Sequence, residues 1–74
     1  MDQGRQKALQ QTFGQNVKKA RNEKGLTQMQ LAVKAETDVR QIQRIEAGEI
    51  ATSIAQAKLI SEVLGVSLDE MIGE

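Results

Sequence analysis

Cysteine, histidine, tryptophan, tyrosine and proline are all absent from this 74-residue chain, and phenylalanine occurs once. The first two absences remove most catalytic chemistry. Without cysteine there is no disulfide framework and no thiolate nucleophile. Without histidine as well, a zinc site would have to be built from carboxylates alone, so no metal site is expected. The missing imidazole also takes away the usual general base near neutral pH. No apolar run approaches the ~20 residues of a membrane span. The opening MDQGRQKALQQTFG lacks the apolar stretch of a signal peptide. There is no glycine-rich phosphate loop, and no helix that would carry paired carboxylates to a cleft. The expectation is a soluble, cytoplasmic protein of one domain, with no cofactor, no membrane contact and no enzymatic equipment.

What remains is an aliphatic, helix-forming chain. Apolar residues make up 39%, and eight of them are alanine. A core of small aliphatics with one Phe suits short helices that cross closely. Gly25, Gly48 and Gly65 each follow a helical-looking stretch, where a left-handed residue is wanted. A Ser, Thr or Asp followed three residues later by Gln or Glu marks a capping box. The pattern occurs at Thr12/Gln15, Thr27/Gln30, Asp38/Gln41, Ser53/Gln56 and Ser67/Glu70. Together these signals predict five helices, roughly 12–24, 28–35, 39–47, 54–64 and 68–72. Apolar spacing agrees at Phe13, Val17 and Ala20, at Ile42 and Ile45, and at Ile54, Ala57, Ile60 and Leu64. Strand alternation is nearly absent. The reading is an all-α, compact five-helix bundle over 12–74, preceded by a polar, Gln-rich arm, 1–11, that is flexible or an added piece of helix.

The middle of the chain, GLTQMQLAVKAETDVRQIQRIEAG, reads as a short helix, a brief turn and a second helix after Asp38. Leu31 and Ala32 face Ile42 and Ile45 across the pair. The small Ala32 lets the two helices approach. The second helix sends Val39, Arg40, Gln41, Gln43 and Arg44 outward.

This segment resembles the helix-turn-helix domain of the Cro/lambda-repressor-like family. The matching residues are Gly25-Leu26-Thr27-Gln28, Leu31-Ala32, Ile42, Arg44-Ile45-Glu46 and Gly48, with Arg21 before them and Leu64-Gly65-Val66-Ser67-Leu68-Asp69-Glu70-Met71 after. The similarity covers about residues 12–72. It implies a DNA-binding domain with its second helix braced on the backbone and its third in the major groove. It also implies a partly buried Arg21–Glu46 salt bridge joining the first and third helices. Small single-domain members include restriction–modification controllers, antitoxins and phage-type repressors.

The side-chain chemistry fits that implication. Val39 suits a thymine methyl, Gln41 an adenine edge, and Arg40 and Arg44 a guanine edge or a phosphate. Lys24, Thr27, Gln28, Lys34 and Gln43 are the expected phosphate contacts, which position a protein without reading sequence. The N-terminus of the second helix adds unpaired N–H groups and a positive dipole end. Two departures stand out. Glu36 occupies a turn position where the family often has Gly, and Asp38 adds a second negative charge beside the DNA face.

One reading head contacts few bases, so a two-fold homodimer on a palindromic operator is expected. With no room for a separate dimerisation domain, the interface is expected from Ile50, Leu59, Val66, Met71 and Ile72. The resulting function is a sequence-specific transcriptional regulator, a repressor or an activator that excludes or recruits RNA polymerase, whose partner is double-stranded DNA. The rival reading is an antitoxin or helical interaction module that uses the same fold to bind a toxin or another protein. The net charge of zero does not oppose DNA binding, because it is polarised. Residues 5–44 hold nine basic and three acidic side chains, while 45–74 hold one basic and six acidic.

Overall fold

The structure, a computed structural model, describes residues 3–73. Five helices follow one another: α1 (Gln3–Glu23), α2 (Gln28–Lys34), α3 (Val39–Glu46), α4 (Ile54–Leu64) and α5 (Leu68–Ile72). No strand occurs among the described residues. No described helix is long and apolar enough to cross a membrane. The all-α, five-helix architecture is the one the sequence pattern predicts.

Four of the five expected N-caps are present. Thr27, Asp38, Ser53 and Ser67 sit in extended backbone and accept from the N–H of Gln30, Gln41, Gln56 and Glu70. The fifth is overturned. Helix α1 starts at Gln3, so Thr12 and Gln15 lie inside it and cap nothing. A capping pair acts only where the preceding chain leaves the helix. Residues 3–11 are mostly good helix formers, and Leu9 and Phe13, a turn apart, share a cleft with α4 and α5 residues. From residue 3 the arm is therefore the first turns of α1. Residues 1–2 of that arm lie outside the described residues.

Four helix ends close the same way. Leu26, Thr37, Glu49 and Val66 each donate their N–H to the carbonyl five residues back, on Arg21, Ala32, Arg44 and Ser61. This closure requires a left-handed residue just before the donor. Glycine supplies it at 25, 48 and 65, and Glu36 supplies it at the fourth end with φ 60°.

Phe13, Val17, Ala20, Leu31, Ala32, Ala35, Ile42, Ile45, Ile60, Leu64 and Met71 form one core cluster. Helices α1 and α3 meet at Gly14. A Cβ there would overlap the Ile45 carbonyl oxygen and lie 3.1 Å from that of Glu46. Backbone thus packs on backbone at the end of α3.

The five-residue α5 is too short to persist alone. It is pinned by Met71, which is fully buried, and by Asn16 of α1, whose Nδ2 donates to the Met71 carbonyl at 2.6 Å. This corrects the expectation for Met71: a side chain at 0% exposure belongs to the core and offers nothing to a second subunit. Ile50, Leu59 and Val66 are half-buried against the same core. Ile72 remains exposed.

Candidate nucleic-acid interface

Helix α3 divides its residues cleanly. Ile42, Ile45 and Glu46 are buried, while Arg40, Gln43 and Arg44 are exposed and Gln41 is half-buried. Asp38, Arg40, Gln41 and Arg44 line one shallow surface cleft. Among the described residues neither Arg40 nor Arg44 takes part in an ion pair. Their guanidinium groups are thus free donors on a rigid frame. Val39, the remaining expected base contact, is half-buried and packs against the core. Its side chain offers only part of its surface outward.

The frame is held by a three-way polar knot. Arg21 Nε donates to Glu46 Oε2 at 2.6 Å and Nη2 to Oε1 at 3.1 Å. Its Nη1 reaches the Leu26 carbonyl at 2.8 Å. Arg21 and Glu46 are both buried. The fork-to-fork geometry is the strong form of this pairing. Gln28 Nε2 completes the knot by donating to Glu46 Oε1 at 3.1 Å. Helix α3 is thereby tied to α1, to the α1–α2 turn and to the start of α2. From α4, Gln56 donates to the carbonyl of Ala35 in the α2–α3 turn at 3.3 Å.

The expected phosphate contacts divide into two sets. Thr27 uses its N–H and its hydroxyl in a reciprocal capping box with Gln30. Gln28 has one amide donor engaged by Glu46 and another left over. Lys34 and Gln43 are exposed. Lys24 lies apart from them: its side chain runs past Gly65, where a Cβ would sit 3.9 Å from Lys24 Cε. That is the C-terminal end of α4, where a cation is favourable. Sequence reasoning had no signal for this, because Lys24 and Gly65 are far apart in the chain.

Two apolar features also escaped the sequence reading. Met29 and Val33, one turn apart on α2, are 59% and 70% exposed. Elsewhere a cleft of about 400 Å³ is lined by Leu9 and Phe13 of α1, Thr52, Ile54 and Ala57 around the start of α4, and Leu68 and Ile72 of α5. Ile54 stands at its rim, 85% exposed. The alternative of core or surface for each such residue depends on tertiary placement that periodicity does not encode.

Two short helices joined by a tight turn, the second anchored by one face and offering hydrogen-bonding side chains on the other, define a helix-turn-helix DNA-binding domain. Residues 17–71 match the family model of the Cro/C1-type helix-turn-helix. The chain belongs to that family and is a DNA-binding regulator of transcription. The match leaves the first turns of α1 outside it. Comparison with curated proteins finds no match, and comparison with solved structures finds none either.

Proposed function

We propose that the chain binds a palindromic operator as a homodimer and represses transcription by occupying it. The observation that carries this reading is the α3 surface, where Arg40, Gln41 and Arg44 line one cleft on a helix whose opposite face is fully buried. Arg40 and Arg44 take guanine O6 and N7 or a phosphate, Gln41 takes adenine, and the outward part of Val39 takes a thymine methyl. Thr27, Gln28, Lys34 and Gln43 hold the backbone, and Lys24 joins them by swinging away from Gly65.

The dimer interface is the cleft bounded by α1, α4 and α5, and its occupant is a second copy of the chain. A two-fold interface must be self-complementary. The same patch carries both a recess and projecting side chains, Ile54 and Ile72. Helix α1 carries exposed Arg5 and Lys7 and α5 carries exposed Asp69 and Glu70, so both helices that bound the cleft offer charges of opposite sign to a two-fold mate. Ile50, Leu59 and Val66 are half-buried against the core and do not line this cleft. Two reading helices about 34 Å apart then meet successive major grooves.

Selection of binding sites from random duplex DNA, followed by a salt titration, tests the reading. The expected result is an enriched palindrome, bound by two chains, with log affinity falling linearly against log salt. No enrichment, or binding indifferent to salt, overturns it. A toxin or other protein partner is the second reading, and exposed Met29 and Val33 on α2 favour it. That reading gains if Met29→Ser with Val33→Ser leaves operator binding intact and abolishes capture of a purified partner.

A further inference from the structure

We infer that Asp38 is a base-discriminating residue that selects cytosine in each half-site. This rests on the DNA-reading function proposed above and adds a residue that the reading face otherwise lacks.

Asp38 is the N-cap of α3. Its Oδ1 accepts the Gln41 N–H at 2.8 Å, which fixes the carboxylate at the leading end of the helix. Capping uses one oxygen only. Among the described residues, Oδ2 has no hydrogen-bond partner and Asp38 joins no ion pair, although Arg40 and Arg44 line the same cleft. The carboxylate is exposed. An unneutralised acceptor thus stands beside two donor-only guanidinium groups, at the end of α3 that enters the major groove first.

The groove chemistry limits what such a group can meet. An ionised carboxylate accepts and does not donate. Guanine O6 and N7, thymine O4 and the phosphates are all acceptors and repel it. Adenine offers its N6 amino group next to the acceptor N7. Cytosine offers N4 with no acceptor on its own major-groove edge, whereas adenine carries N7 on the same edge, so cytosine is the better fit. A G·C pair presents guanine acceptors and the cytosine amino group side by side. Arginine and aspartate in one cleft can therefore read both strands of G·C steps. The negative charge weakens attraction to any duplex and penalises every wrong base at that position, so it lowers general affinity while sharpening choice.

Two substitutions keep the cap and remove the acceptor charge. Serine and asparagine are both good N-caps, so Asp38→Ser and Asp38→Asn are expected to retain the helical signal of the full chain. Site selection with the wild-type chain is expected to enrich a cytosine at one fixed position in each half-site. With Asp38→Ser, discrimination there is expected to fall about tenfold, the scale of one base-pair mismatch, while the other positions keep their preferences. With Asp38→Asn, which adds a donor, the preference at that position is expected to move towards adenine. Both variants are expected to bind unrelated duplex more tightly than wild type. Identical preferences at every position for the three proteins overturn the role of Asp38 and leave the operator-binding reading standing. Failure of the wild-type chain to select any sequence overturns that reading, and the role of Asp38 with it.

Discussion

Glu46 shows how one side chain can serve a whole domain. It is buried, carries a charge, and receives Arg21 by two bonds and Gln28 by a third. Removing one partner leaves the other charge buried and unpaired, which costs about 3–5 kcal/mol. Glu46→Ala or Arg21→Ala is expected to lower the thermal midpoint by more than about 10 °C, given roughly 4–8 °C per kcal/mol in a domain of this size. Unchanged midpoints for both variants in circular dichroism melts would remove the pair as a structural tie. Glu36 acts in the other direction. Three of four equivalent helix ends use glycine and this one uses glutamate at φ 60°, a conformation that strains a side chain by about 1 kcal/mol or more. Glu36→Gly is expected to raise the urea midpoint by the equivalent of about 1 kcal/mol. A lower midpoint would show that the glutamate side chain stabilises the turn.

Among the elements, α1 and α3 depend on each other at Gly14. In an exposed helix interior, Gly→Ala normally stabilises by about 1 kcal/mol. Here the added methyl group meets the Ile45 carbonyl, so the sign is expected to invert. Gly14→Ala should destabilise by about 1–3 kcal/mol, the range for overpacking, as read by chemical denaturation. The exposed side of α3 is expected to behave differently from its flanks. Arg44→Ala should relax preference at one base pair by about 1–3 kcal/mol. Lys34→Ala should weaken all sequences alike and make the salt slope shallower by about one. A uniform loss from Arg44→Ala in a competition assay would reassign it to a phosphate. The starts of α2 to α5 were legible because their signal is local, a capping oxygen three residues before its N–H, and the ends of α3 and α4 because a left-turning glycine follows each. The start of α1 was not, because Thr12 and Gln15 carry the capping pattern without a break in the chain before them. Gly14 escaped for a related reason. Its role is set by a carbonyl more than thirty residues away, and no local pattern encodes that approach.

At the scale of the molecule, the core and the two faces of α3 were legible, and the exposure of the apolar residues of α4 and α5 was only partly so. Ile42 and Ile45 against Arg40, Gln41 and Arg44 is a periodicity argument, and α3 obeys it. Whether Met71, Ile54 or Ile72 is covered depends on how the last two helices fold back, which is a tertiary outcome. Met71 became the pin of α5, and Ile54 became the most exposed large apolar side chain. Ile54→Asp is expected to leave the unfolding free energy of the isolated chain within about 0.5 kcal/mol of wild type, as for other exposed positions. It is also expected to abolish two-chain occupancy of the operator, measured by sedimentation of the complex. Retained two-chain occupancy would move the interface elsewhere.

The division of labour within α3 has a consequence for how such a protein can change. Ile42, Ile45 and Glu46 keep the helix seated, and Asp38 fastens its leading end through one oxygen. The side chains of Arg40, Gln43 and Arg44 are exposed and stand outside that seating. In the proposed reading, the preferred operator can therefore be altered at Arg40 and Arg44 with little effect on folding, and the same scaffold is free to serve a new one.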